Sequence, residues 1–162
     1  MAETARPSPI RPTDSGARAL ARSLMDGARF GALGVLDPAT GMPMVSRVAV
    51  GMDAQGMPLT LVSDLSHHTR ALAASPLCSL LVGEPGANGD PLTHPRLTLH
   101  CKASRVEKSA ALRALWLAQH PKARLYIDFA DFNFLALEVH EAHLNGGFGK
   151  AYTLAAADLR SG

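Results

Sequence analysis

Between Leu61 and Pro76 the chain reads LVSDLSHHTRALAASP, a stretch that starts with strand-like residues and ends with helix-like ones. Ser63, Ser66, His67, His68, Thr69 and Arg70 crowd the corner between the two halves. Ser66 is a good N-cap for a helix from His67 to Ala74. The first N–H groups of such a helix lack intrahelical partners, and its dipole is positive at that end. Hydroxyls, imidazoles and a guanidinium add further donors, and together these make the donor set of an anion site, a phosphate site in particular. Capping and solvation of a surface helix is the plainer account of the same residues.

Arg47 bears on that choice. It interrupts the apolar pattern of VSRVAV, where a strand usually carries small or apolar side chains. By alternation it shares a face with Val45 and Ala49, opposite Ser46 and Val48. The following segment, PLTLVS, delivers Ser63. Pairing the two segments as a hairpin through the Asp53–Gly56 turn brings Arg47 to the neighbourhood of Ser66 and Arg70. The competing role for Arg47 is an edge-strand charge that discourages aggregation.

Other polar clusters carry less. His140-Glu141-Ala142-His143 has metal-like composition, but on a strand residues three apart point to opposite faces, so no metal is expected there. His67 and His68 are adjacent and diverge in the same way. No P-loop, GxSxG or strand-to-helix GxGxxG is present. The GGFG run from Gly146 to Gly149 follows a strand pattern and reads as a loop that needs positive φ, or as backbone that approaches a flat ligand closely. Cys78 and Cys101 lie in separate apolar segments and read as free core thiols in a reducing cytoplasm. No side chain stands out as a general acid or base.

The elements that must hold these groups follow from pattern. A chain of 162 residues with 47% hydrophobic and 19% charged residues suits one domain with a real core. A formal net charge of +2 gives no reason to expect nucleic acid or an anionic membrane as partner. No apolar run reaches the roughly 20 residues needed to span a bilayer. Residues 1–14, rich in Pro, Arg and Ser, read as a mobile tail, and residues 15–162 as the domain. Asp14 and Ser15 cap a first helix that stops near Gly27. Strands are expected at Arg29–Asp37, Pro43–Met52, Pro58–Ser63, Leu77–Gly83, Arg96–Glu107 and Asn133–Leu144. Leu77–Gly83 has so little polar content that burial on both faces is expected. Helices are expected at Ser109–Gln119 and around Lys122–Asp128, with a loop over Glu84–Pro95. Strands that do not alternate strictly with helices argue for a mainly β (α+β) fold, a small antiparallel barrel with peripheral helices.

SRVAV, the glycine-containing turn and LVSDLSHHTRAL together resemble the pyridoxamine phosphate oxidase-like, FMN-binding split-barrel superfamily, and within it the haem-utilisation (HugZ-type) branch. The resemblance extends over Ala28 to Lys150, through EPGANGDP before RLTL, HPKARLYIDFADF and the closing GGFG. It implies a six-stranded antiparallel split β-barrel that dimerises with itself and holds FMN in clefts at the dimer interface. It implies that Arg47 grips the FMN phosphate and that Ser63 lies near the isoalloxazine ring. Val48 and Val62 would offer backbone to the ring. Ser66, His67, His68, Thr69 and Arg70 would cover the phosphate, with the choice among His68, Thr69 and Arg70 open. Arg96 would reach the flavin, and Pro121–Tyr126 the flavin of the other subunit. The chain lacks the C-terminal Arg/His pattern of pyridoxamine phosphate oxidases, which speaks against vitamin B6 as substrate. It also stops soon after GGFG, short of the C-terminal region with which haem-utilisation proteins help to bind haem. The implied function is an FMN-dependent oxidoreductase of open substrate. The alternative is a haem- or flavin-binding module without turnover, and a structural dimer with a remnant cleft is a third reading.

Overall fold

The computed structural model describes residues 8–160. The short strand β1 (Ile10–Arg11) precedes helix α1 (Ser15–Gly27). The Asp14 carboxylate caps α1 by accepting from the Ala17 N–H at 2.8 Å. Ala17, Ala21 and Met25, four residues apart, form the buried stripe of α1. Strands β2 (Phe30–Leu36), β3 (Pro43–Ala49), β4 (Gly51–Met52) and β5 (Pro58–Ser63) follow. Then come α2 (His67–Ala74), β6 (Leu77–Val82), β7 (Arg96–Val106), α3 (Ala110–Gln119), β8 (Phe132–Asn145) and β9 (Ala151–Ala155). Single 3₁₀ turns occupy Pro91–Thr93, Pro121–Leu125 and Ala156–Leu159. Of the tail expected over residues 1–14, residues 1–7 lie outside the described part. Ile10 and Arg11 pair with β9.

The mainly β, α+β expectation holds, but the strand count and direction differ. Among the described residues one sheet has nine strands, in the order β1-β9-β8-β7-β6-β2-β3, with β5 joined to β8 and β4 to β5. The six longest strands, β2, β3 and β5 to β8, are antiparallel to their neighbours. The parallel β1–β9 pair makes the sheet mixed. Strand β8 has 14 residues, long enough for two partners along one edge. Its first half pairs with β5 and its second half with β9, while β7 runs along the other edge.

One pairing and one burial pattern correct the sequence reading. The expected strand Pro43–Met52 breaks at Val50, whose N–H turns to the Arg29 carbonyl at 2.9 Å. As a result β3 pairs with β2 over its full length, and only the two residues of β4 form the hairpin with β5. Strand β6 is not buried on both faces. Cys78, Leu80 and Val82 point inward, while Leu77 and Leu81 are 61% and 40% exposed. Gly31 is required where β2 crosses β6, because a Cβ there would lie 2.8 Å from the Leu81 carbonyl oxygen.

The main core lies under α1 and the inner faces of β2, β3 and β6 to β9, with Met25, Leu33, Leu80, Leu99, Leu137 and Leu154 fully buried. A second core holds Trp116 of α3 against Ile127 and Phe134. The helix expected around Lys122–Asp128 is only the 3₁₀ turn Pro121–Leu125.

A cleft between Arg47, the start of α2 and two aromatic rings

A cleft of about 210 Å³ opens at the corner that the sequence singles out. Arg47, Val48 and Ala49 of β3 form one wall, and Leu61, Val62 and Ser63 of β5 another. Ser66 and His68 come from the start of α2, and Tyr126 and Phe132 complete the lining. The side chains of Val48 and Val62 belong to the main core, so what they present to the cleft is backbone.

Each group is placed by its local structure. Arg47 sits opposite Ala32 in register, on the outer face of the β2–β3 ladder, and its guanidinium lies 5.4 Å from the centroid of the Phe30 ring. It has no carboxylate partner among the described residues. Ser63 ends β5, and its hydroxyl donates to Asp131 Oδ2 at 2.5 Å and accepts from the Leu65 N–H. The neighbouring Asp64 binds Arg105 and Asn133, so this corner is tied to both β7 and β8. Lys108 donates to the carbonyls of Ile127, Phe129 and Phe132, and it thereby fixes the loop that carries the aromatic wall. Tyr126 and Phe132 lie 4.8 Å apart, ring to ring.

The start of α2 is short of partners. Ser66 has the extended geometry of an N-cap, yet its side chain makes no cap hydrogen bond. His68 Nε2 and Thr69 Oγ1 are buried with no hydrogen-bond partner among the described residues. Burial pushes the His68 imidazole below its ordinary pKa, with His67 adding to the effect. Buried polar groups in folded proteins nearly always have partners, so the orphan of His68, which lines the cleft beside an open helix N-terminus, points to a missing acceptor.

The expected site residues fall in four places. Arg47, Val48, Val62, Ser63, Ser66 and His68 share the cleft. His67 and Arg70, one helical turn apart, line a neighbouring depression with Asp37, Pro38 and Ala39. His67 Nε2 contacts Asp37 Oδ2 at 2.6 Å, and Arg70 folds back to the Leu65 carbonyl at 3.1 Å. The N–H groups of Thr40 and Ala39, then His67, hold the Asp37 carboxyl below the usual range. The two arginines therefore do not meet within one chain. Arg96 stands apart from both, donating to the carbonyls of Leu92 and His94 in a depression lined by Phe30 and Ala32. Thr69 lies beneath α2 rather than in the cleft wall.

Leu61 and Phe132 were not anticipated, and Tyr126 lines the cleft of its own chain. The dense aromatics of LYIDFADFNF were the available signal. The GGFG loop has the expected backbone: Gly147 and Gly149 adopt φ of +117° and +69°.

Residues 12–159 match the family model described as CREG, beta-barrel. The chain belongs to this family. Over 134 residues it is 36% identical to the non-canonical heme oxygenase HOZ, chloroplastic, of Arabidopsis thaliana, a match that covers 81% of the chain and 40% of that protein. The structure of a heme binding protein from Mycobacterium smegmatis superposes with a TM-score of 0.81 at 34% identity, over 93% of this chain and 61% of that one. The chain thus spans less than two thirds of either relative. A protein of the pyridoxinephosphate oxidase family from Clostridium acetobutylicum, related to general stress protein 26, shares the fold with a TM-score of 0.69 at 14% identity, over 91% and 99% of the two chains. The family model and the two haem-related relatives bear out the likeness to the haem-utilisation branch, and the pyridoxinephosphate oxidase likeness is one of fold. No helix among the described residues is long and apolar enough to cross a membrane.

Proposed function

We propose that the chain is an FMN-binding flavoprotein that works as a homodimer, with the FMN phosphate at the start of α2. The observation that carries this reading is the buried, unpartnered Nε2 of His68 beside the free Ser66 hydroxyl and an uncapped helix N-terminus. Arg47 would supply the compensating charge from β3. Arg70 and His67 would act from the neighbouring depression, Thr69 through the helix, and Arg96 from farther along the sheet. Backbone of Val48 and Val62 would border the ring, and Tyr126 and Phe132 would give it an aromatic wall. Because the Ser63 hydroxyl is held by Asp131, its role is to fix the corner rather than to donate freely.

The bound flavin would supply hydride and electron transfer, which suits a cleft with no evident acid or base. The chain itself binds the phosphate, orients the ring against β3 and β5, and excludes water with the aromatic wall. The cleft of one chain, about 210 Å³, falls short of the roughly 300–1,000 Å³ usual for a ligand pocket, so a second copy is expected to complete it. The outward side chains Leu36, Val45, Leu77 and Leu81 form an exposed apolar face on β3, the strand of Arg47, and on β2 and β6 beside it, the kind of surface that self-association covers.

A haem-binding role is favoured by a separate observation. A groove of about 480 Å³ on that face is lined mostly by apolar groups, with His100 and His140 among its lining residues. Absorbance titration of the purified protein with FMN, riboflavin and haemin distinguishes the two. Tight FMN binding, with riboflavin weaker, supports the flavin reading. Haemin binding without FMN binding replaces it with the haem module. Oxidation of a nicotinamide by the FMN-loaded protein supports the oxidoreductase assignment.

A further inference from the structure

The strand argument against a metal at His140–His143 assumes unbroken alternation along β8, and the alternation breaks. His100 of β7 pairs with Glu141, but the next residue, Cys101, pairs with Val139, so His140 is an extra residue in the ladder. The bulge reverses the inward set from Leu137 and Val139 to Ala142 and Leu144. Glu141 and His143, two residues apart beyond the bulge, now project on the outer face beside His100.

The three side chains come close together. His143 Nε2 lies 2.9 Å from Glu141 Oε1. The His100 and His143 rings are 4.8 Å apart at 56°. One donor atom from each of His100, Glu141 and His143 falls within 4.8 Å of the other two. Ligands held at about 2.0–2.2 Å from one ion sit about 3–3.5 Å from each other, so small rotations of these exposed side chains close the set. The backbone beneath them is fixed, because Leu99, Cys101, Ala142 and Leu144 alternate with them and are buried.

We propose that His100, Glu141 and His143 bind one divalent transition-metal ion. Two imidazoles and one carboxylate suit borderline ions such as zinc, nickel or cobalt rather than magnesium or calcium, and three protein ligands leave coordination positions open. The site lies on β7 and β8, and none of its three residues lines the Arg47 cleft, although His100 also lines the apolar groove.

Isothermal titration of the full chain with zinc chloride, repeated with cobalt under an absorbance readout, tests the assignment. One zinc per chain is expected, with affinity reduced at least about tenfold in His100→Gln and in His143→Gln, a loss of the size that disturbed metal shells produce. The cobalt spectrum should lack thiolate charge-transfer bands, since Cys78 and Cys101 are not ligands. Unchanged circular dichroism in both variants, and unchanged FMN affinity in His143→Gln, which lines neither the cleft nor the apolar groove, keep the result separate from folding and from the flavin reading. Absence of zinc binding, unchanged affinity in the variants, or a thiolate band would overturn the proposal.

Discussion

Replacing Arg47 by Ala tests the phosphate grip most directly. The guanidinium is exposed, lacks a carboxylate partner among the described residues, and rests on the Phe30 ring at 5.4 Å. Its removal therefore forfeits at most an exposed cation–π contact, about 0.5–1 kcal/mol, and leaves no buried charge behind. The fold should persist, with little change in melting temperature. In the complex the same side chain would make a charge-assisted hydrogen bond to phosphate, a net contribution of about 1.5–3 kcal/mol. Detaching it from Phe30 offsets part of that, so the expected loss is about 0.5–2.5 kcal/mol, or about 2- to 70-fold in Kd. Quenching of flavin fluorescence on titration gives the affinity. Parallel titration with riboflavin, which has the ring without the phosphate, locates the contact. Arg47→Ala should weaken FMN and leave riboflavin nearly unchanged, and the FMN affinity should depend less on salt than in the parent. An equal loss for both ligands would put Arg47 at the ring, and no loss for either would remove it from the site.

Val45→Glu, on the exposed apolar face, should shift the protein toward monomer in sedimentation or size-exclusion measurements; an unchanged dimer would move the interface elsewhere. Burial holds the His68 and His120 imidazoles below their ordinary pKa, so the folded chain binds fewer protons than the unfolded one. Their contribution to stability is complete above the unfolded value of about 6.5 and is lost as pH falls from there through the lower folded values, so the melting temperature should drop on acidification below about 6.5, and less so in His68→Gln. Burial also pushes the Cys78 thiol up to about 11, and Cys101 higher still. Native protein should resist iodoacetamide at neutral pH and react at both thiols once unfolded; rapid native labelling would contradict their buried placement. Thr60 is fully buried and donates to the Ala49 carbonyl at 2.7 Å, so Thr60→Val should cost about 1–3 kcal/mol in denaturant unfolding.

Much of the fold was legible because local signals and burial agree. Asp14 caps α1, Pro58–Ser63 forms a strand with the predicted ends, and Ser109 caps α3 through the Leu112 N–H. The β3–β5 hairpin was misread because Asp53–Gly56 is a genuine hairpin turn, but the chain has already left β3 at Val50. A two-residue β4 carries no periodicity of its own. Strand β6 looked doubly buried because its outward leucines carry the same composition as a core, and sequence does not distinguish a face covered by the same chain from an exposed one. At the candidate site, Arg47, Ser66 and His68 were found from polar residues in apolar or capping contexts, and they share a cleft. Arg70 was drawn in by proximity in sequence, yet one helical turn carries it and His67 toward Asp37. The partner of Ser63 comes from the turn before β8 and the neighbours of His100 from β8, and no spacing rule reports them.

The two unfinished features of a single chain are arranged so that one partner can complete both. The cleft is smaller than a cofactor needs, and its Arg47 wall is the outer face of β3. That face continues through Val45 on β3, Leu36 on β2 and Leu77 on β6, all exposed and apolar. Self-association through this surface would bury the leucines and bring a second surface against Arg47 in the same step. Ligand affinity and dimerisation would then be linked, because FMN that favours the dimer must by mass action be favoured by it. Val45→Glu should accordingly weaken FMN although Val45 lies outside the cleft wall, and added FMN should raise the dimer fraction of the variant. Arg47→Ala should weaken FMN while leaving the dimer of the flavin-free protein intact. If Val45→Glu is monomeric and still binds FMN with the parent affinity, the cleft of one chain suffices and the exposed leucines serve another purpose.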